Sequence, residues 1–453
     1  MSAFQDLRSL SRLRPLQLAA LTAMFTTVGV MAMQLKYFVL DSDIWWHLKV
    51  GDWIISHFAL PHTGILSRTA ANLPWVAYSW GYEVILSRFY AWFGLIGLGV
   101  FGTLLTLALA CAIYWMMLRL SANFWFACIG AIAVYCSFLF NGTPRPFFFS
   151  MILFTITLTW ILDANRSGRV QHLYWLPLVF FLWANIHIQF IYGLFLLGLF
   201  VGVNAIQRIA NALDIEPQFL KPPSLPLGTL IAIFTACFAA TLIGPNFYHP
   251  YVVVFEYSKA KFSYNVIIEL QPLSFRGYSH YMELLIAGAG FYAVGWQKKL
   301  DLFKLSLLTI GSVVAFRTMR DAWFIVLPAA ACAADAYFAQ THKAEESQPS
   351  QSWPELAGVA AAVAVLLAIA AGSVGFTQRD LDRTISNHYP VNAINFLRRN
   401  PAPGPLYNNL NWGGFLMWYM PDYPVAIDGR NDLYGDTLDE LFFNSQNGAE
   451  SYT

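Results

Sequence analysis

Long apolar runs broken by short polar stretches set the pattern of this chain. A helix crossing a bilayer takes roughly 20 mostly apolar residues. Runs near that length recur at 17–39, 91–118, 123–140, 147–163, 173–187, 189–207, 227–244, 281–296, 303–316, 323–340 and 356–375, which predicts about eleven membrane spans. A polar interval, 40–90, separates the first two and carries two helical stretches of its own, DSDIWWHLKVGDWIISH and AYSWGYEVILSRFYAWF. Past 375 the pattern changes to strand-like PVAID and the turns APGP, NWGG and DGR. The expected architecture is a polytopic α-helical membrane domain over 1–375, with a long first loop at 40–90 and a small α/β domain over 376–453.

Composition agrees. The chain is 57% hydrophobic and only 12% charged, against about 25% charged in soluble domains. A net charge of +1 gives no basic excess that would suit nucleic acid. Cys111, Cys128, Cys136, Cys237 and Cys332 all fall in apolar runs without a CxxC pair, so they read as small core residues. Arg8, Arg12 and Arg14 precede an apolar run with no small-residue cleavage site, the pattern of a retained first span. Lysine and arginine in short loops mark the cytoplasmic side. Arg119, Arg166 with Arg169, Arg208 with Lys221, and Lys298 with Lys299 all fall on the side of the N-terminus. The segments 40–90, 141–146, 245–280, 317–322 and the tail are then extracytoplasmic.

Ionisable groups collect on that outer side. Asp41 or Ser42 is placed to cap a helix on which Asp43 and His47, four apart, share a face. Ile44, Leu48 and Ile55 share another face, suited to a membrane surface, and Trp45, Trp46 and Trp53 suit an interfacial aromatic belt. Glu83 opens the second helical stretch. Arg145 lies fixed between Pro144 and Pro146, Arg317 and Arg320 sit in FRTMRDAWF beside Asp321, and His187 lies in WANIHIQF. Carboxylates suit a base or a metal, and the planar arginine fork suits phosphate oxygens. Pairing of Arg317 or Arg320 with Asp321 or Glu269 is the purely structural alternative. Asp428 and Arg430 read either as a turn with an internal ion pair or as groups facing a ligand. Asn141, in NGT, matches a glycosylation acceptor pattern but sits tight against an apolar run and before a proline, and is discounted.

These residues have a familiar look. DSDIWWHLKVGDWI, PWVAYSWGYEV, TPRPFFFS, LPLVFFLWANIHIQFIYG, LIGPNFYHPY, VIIELQPLSF, FRTMRDAWF and NNLNWGGFLMWYMPDYPVAIDGRNDLYGD resemble, in order, a group of bacterial polytopic proteins similar to the GT-C superfamily. Those are glycosyltransferases that use polyprenyl-phosphate or polyprenyl-diphosphate sugars. The resemblance implies an inner-membrane enzyme of the bacterial cell envelope, with its N-terminus cytoplasmic and its tail outside. It implies Asp43 as the catalytic carboxylate, Asp41 second, and Glu83 and His47 in support. Arg317 and Arg320 would hold the lipid phosphate, with Arg145, His187, Asp428 and Arg430 as further substrate contacts. Asp41-Ser42-Asp43 has the DxD form that some members use for a divalent ion, Mg or Mn, while others need none. The partners implied are a polyprenyl-linked sugar donor, a glycan, lipid or protein acceptor, and membrane lipids. One departure is Ile188-Gln189 after His187, where the group often has a glycine pair. Two other classes stay open: a lipid or polar-solute transporter, and a non-catalytic subunit of an envelope glycan assembly system.

Overall fold

The computed structural model describes residues 14–138, 143–213, 219–223, 225–341, 352–404, 406–446 and 448. Arg8, Arg12 and Asn141 lie outside them. Every predicted apolar run falls on a helix: α1 (Pro15–Leu35), α4 (Trp80–Ser121), α5 (Phe124–Phe138), α6 (Phe147–Ser167), α7 (Leu176–Ile186), α8 (Phe190–Ala212), α9 (Leu227–Thr241), α12 (Tyr278–Gly295), α13 (Leu302–Arg317), α14 (Trp323–Thr341) and α15 (Trp353–Ser373). Six segments among the described residues are long and apolar enough to cross a membrane: Pro15–Leu40, Trp80–Ser121, Phe147–Ser167, Phe190–Ala212, Met319–Thr341 and Trp353–Ser373. They fit a multi-pass α-helical membrane protein. The other five predicted spans fall on helices of 11 to 18 residues.

Helix α14 is the hub. It is buried almost continuously from Trp323 to Ala336 and packs on α4, α5, α6, α12 and α13, as an all-round apolar helix must. One end of this bundle is tied by ion pairs. Asp163 binds Arg119 at 2.9 Å and Arg166 at 3.1 Å, Asp335 binds Lys304 at 2.5 Å, and Asp301 accepts from Lys221 at 3.4 Å and Asn165 at 2.9 Å. These groups sit at the C-terminal ends of α4, α6 and α14, at the N-terminal end of α13 and, for Lys221, in the link between α8 and α9. Charges left unpaired there would be costly, so the pairing fixes which helix ends lie together.

The opposite ends carry the connectors. Two short helices, α2 (Tyr37–Leu40) and α3 (Ser42–His57), follow α1; α10 (His249–Tyr257) and α11 (Phe262–Val266) follow α9; and the tail forms α16 (Gln378–His388), α17 (Val391–Arg399), α18 (Leu410–Tyr419) and α19 (Asn431–Gln446). The stretch around Glu83 is a helical piece of its own, as expected: α4 breaks at Gly94, whose φ of +59° and ψ of −141° are non-helical and suit glycine, so 80–93 precedes the longer apolar part at 95–121. One expectation is corrected here. The tail is helical, with no strand among the described residues. Its PVAID segment is extended but makes only isolated bridges from Val425, to Ser67 and to Leu406.

A second correction concerns the tryptophans. Trp45 and Trp46 are buried, not spread on a membrane surface, and so are Ile44 and Leu48. Helix α3 is sandwiched between α4 and α18. Trp45 meets Phe415 edge-on at 5.2 Å, and Tyr389 stacks on Phe415 at 4.2 Å, contacts worth roughly 0.5–1.5 kcal/mol each beyond area burial. The close approach depends on glycines. A Cβ on Gly414 would stand 2.5 Å from the Ser42 carbonyl oxygen, and one on Gly51 only 2.0 Å from that of Glu83. The tail and the first loop therefore share one core.

Candidate functional site

Asp41 caps α3 as expected, its carboxylate accepting from the Asp43 N–H at 3.0 Å. Across from it, the Arg145 loop is held by Tyr82, whose hydroxyl donates to the Pro144 carbonyl at 2.8 Å. Arg145 then reaches three acids. It binds Asp41 side-on through Nε (2.5 Å) and Nη2 (2.8 Å), and its Nη1 lies 3.0 Å from Asp43 and 3.3 Å from Glu269. Glu269 also faces Arg320, 3.9 Å away. A chain of alternating charge, Asp41–Arg145–Glu269–Arg320, thus runs along one wall.

That wall belongs to an open cavity of about 1270 Å³, lined by Asp43, His47, Arg145, His187, Glu269 and Arg320. Five of the sequence-predicted residues meet here, brought from α3, the α5–α6 link, the α7–α8 link and the turn before α14. Gln189 and Asp321 join them, Gln189 donating to Asp321 at 3.3 Å. His187 sits 2.8 Å from the Ser150 hydroxyl.

The two arginines differ in what they have left to offer. Arg145 is saturated by carboxylates. Among the described residues, Arg320 has one loose ion pair, stands near the Tyr257 ring at 5.8 Å, and its buried Nε has no hydrogen-bond partner. A buried donor without an acceptor is costly, so Arg320 is the group in this wall best placed to take an incoming anion.

Four predicted site residues stand behind the lining. Asp41 is consumed by Arg145 and by its cap. Glu83 is buried and pairs with His47, Oε1 to Nδ1, at 3.1 Å. Asp428 and Arg430 are fully buried and bind each other through two bonds, 2.8 and 2.7 Å; Tyr434 donates to Asp428 at 2.7 Å and Arg430 to the Ile65 carbonyl at 3.0 Å. They hold the tail to the first loop. Arg317 is exposed and lies over Tyr264 at 5.3 Å without lining the cavity.

The residue between that ion pair and the cavity is Gly429. A Cβ there would meet Asp43 Oδ1 at 1.9 Å, so the DGR turn backs directly onto Asp43. Asp432, which sequence reasoning passed over, enters the lining just beyond, its Oδ2 accepting from Trp75 Nε1 at 3.0 Å. One more acid in an acid-bearing motif gave no signal of its own.

Burial pushes the Asp43 carboxyl up to about 7; the Arg145 guanidinium pulls against this, while Asp41 and Glu269 reinforce it. Asp41 goes the other way. Burial would raise it, but the two-bonded Arg145 holds it below the ordinary carboxylate range. Burial also keeps His47 well below the usual imidazole range, helped by nearby Arg145, so it is neutral at pH 7. The cavity thus presents a titratable acid, Asp43, directly beside the Arg145 guanidinium, the pattern in which a carboxylate can exchange a proton near neutrality.

A divalent ion does not fit the Asp41–Asp43 pair as arranged. The place between the two carboxylates is filled by the Arg145 guanidinium, and among the described residues no group of three or more His, Cys, Asp or Glu could hold a metal ion. No protein-family model matches the chain, and no curated protein matches it.

Proposed function

We propose that this chain is a membrane glycosyltransferase of the GT-C type. It moves a sugar from a polyprenyl-phosphate or diphosphate donor to an acceptor on the extracytoplasmic face of a bacterial inner membrane. The observation that carries the reading is the meeting of Asp43 and Arg320 in one cavity. In this reading all eleven helices named above span the membrane, with the N-terminus cytoplasmic and the tail outside. The ion-paired end of the bundle, which includes Arg119, Arg166 and Lys221, is then the cytoplasmic one, in keeping with the positive-inside rule.

The chemistry follows from the lining. The lipid phosphate binds Arg320, whose fork matches its oxygens. The apolar tail leaves by a crevice that shares Arg320 and Phe147 with the cavity and continues between Phe138, Phe148, Met151 and Trp323. Asp43 accepts the proton of the acceptor hydroxyl as that oxygen attacks the anomeric carbon. The bond from that carbon to the phosphate oxygen breaks, and Arg320 stabilises the growing charge. Glu83 holds neutral His47 beside Asp43.

The test is direct. The full-length protein in vesicles is given short-chain polyprenyl-phosphoryl hexoses and pentoses, and released polyprenyl phosphate is measured. Release that depends on Asp43 and on an added acceptor supports the reading. Donor translocation without cleavage would instead identify a transporter, and donor binding with no turnover a non-catalytic subunit.

A further inference from the structure

A second chamber, of about 1600 Å³, adjoins the first and opens between the first loop, α10 and the start of α19. The two chambers share Val253, Tyr257, Asn431 and Asp432 as a common wall. Both linings carry more acids than cations, but they differ in arginine. Arg145 and Arg320 line the first beside Asp43, Glu269, Asp321 and Asp432, whereas the second, among the described residues, has no arginine and carries Glu256, Asp432 and Asp436 with Lys259, His62 and His249. Without a guanidinium fork the second wall offers a phosphate less. It suits hydroxyl groups, which donate to carboxylates, and the partly exposed Tyr257 ring adds apolar surface to the lining.

The chamber is also braced. Trp75 is buried, holds Asp432 through its N–H, and is backed by the Arg430 guanidinium at 4.9 Å. Asp436 accepts from the backbone N–H groups of Phe262 (3.1 Å) and Ser263 (3.4 Å), tying α19 to α11. Two segments far apart in sequence thus hold the acids at fixed places, so little ordering is left for a ligand to induce.

We propose that this second chamber binds a hydroxyl-rich carbohydrate, and that Asp432, in the common wall, fixes the hydroxyl that faces Asp43. Its role as the acceptor site rests on the glycosyltransferase reading; carbohydrate binding by itself does not. In the transfer the hydroxyl oxygen bonds to the anomeric carbon. The electron pair of the breaking bond leaves on the lipid phosphate, and the proton passes to Asp43. Asp432 is a positioning residue.

The experiment uses the full-length protein in lipid nanodiscs and a panel of neutral oligosaccharides built from hexoses and N-acetylated amino sugars. Binding is followed by saturation-transfer NMR in wild type, Asp432→Asn, Glu256→Gln and Arg320→Ala, with farnesyl phosphate as a separate probe. At least one oligosaccharide should bind, tenfold or more weakly in Asp432→Asn, several-fold more weakly in Glu256→Gln, and unchanged in Arg320→Ala. Farnesyl phosphate should show the reverse dependence and should not displace the sugar. Glu256 is exposed, so its variant reads the chamber even if Asp432→Asn fails to fold. In turnover, Asp432→Asn should raise the KM for acceptor with kcat within a few-fold, unlike a variant at Asp43. The proposal is overturned if no oligosaccharide binds, if binding ignores both acidic substitutions, or if it is lost in Arg320→Ala. Carbohydrate binding with no transfer from any donor would leave the chamber assigned and remove its acceptor role.

Discussion

Arg145 grips Asp41 with two parallel bonds and reaches Asp43 with only its remaining nitrogen, 3.0 Å away. Two aspartates separated by one residue therefore have opposite roles. Asp41 is a buried anchor for the arginine, and Asp43 is the carboxylate that faces the cavity.

Exchanging the two acids in turn should separate these roles. Asp43→Asn should lower turnover by about 10²–10⁴-fold, the usual range for a lost general base, with little change in thermal stability. Asp41→Asn should instead leave Arg145 poorly paired and lower the unfolding temperature. Turnover in vesicles and melting in detergent, measured on both variants, check this. Full activity in Asp43→Asn would remove Asp43 from the chemistry.

The acid limb of kcat/KM should fall near pH 7, because the base form of Asp43 is lost as pH drops through about 7. The folded value lies above the ordinary 3.8. The folded state therefore binds this proton more tightly, and the stability Asp43 contributes is lost as pH rises from about 4 to 7. Glu269→Gln removes one of the negative neighbours that push Asp43 up, so the limb should move to lower pH. A limb that stays in place would show that another group sets it.

Arg320 and Arg317 should differ sharply. Arg320→Ala removes charged hydrogen bonds to the donor phosphate, about 1.5–3 kcal/mol, which corresponds to roughly ten- to hundredfold weaker donor binding. Arg317→Ala, at an exposed position outside the lining, should stay within about twofold. Titration with farnesyl phosphate measures both. Equal effects would mean that the phosphate sits elsewhere.

The DGR turn offers two separable outcomes. Asp428→Asn strands the Arg430 charge in the interior and should cost about 3–5 kcal/mol, the usual result of breaking one side of a buried pair. Gly429→Ala should retain the fold better but lose activity, since the new methyl must displace Asp43. Chemical unfolding for the first and turnover for the second test the distinction.

The sequence by itself determined the helices. Their apolar runs are long and periodic, and every one expected between 17 and 375 falls on a helix. It also determined local relations that need only one turn of backbone, such as the Asp41 cap and the shared face of Asp43 and His47. Tertiary packing decided which charges are spent and which remain available. Asp41, Asp428 and Arg430 look like Asp43 and Arg320 in the sequence, yet Asp41 is taken up by the remote Arg145, and Asp428 and Arg430 are buried against each other with Tyr434 and the Ile65 carbonyl around them. Packing likewise drew Trp45 and Trp46 inward, because α18 covers them with glycines that let backbones touch. It also brought Asp432 to the cavity, since nothing within a few residues of it records that Trp75 lies opposite. Local pattern fixes what a segment can become, whereas a side chain's role depends on which remote group reaches it first.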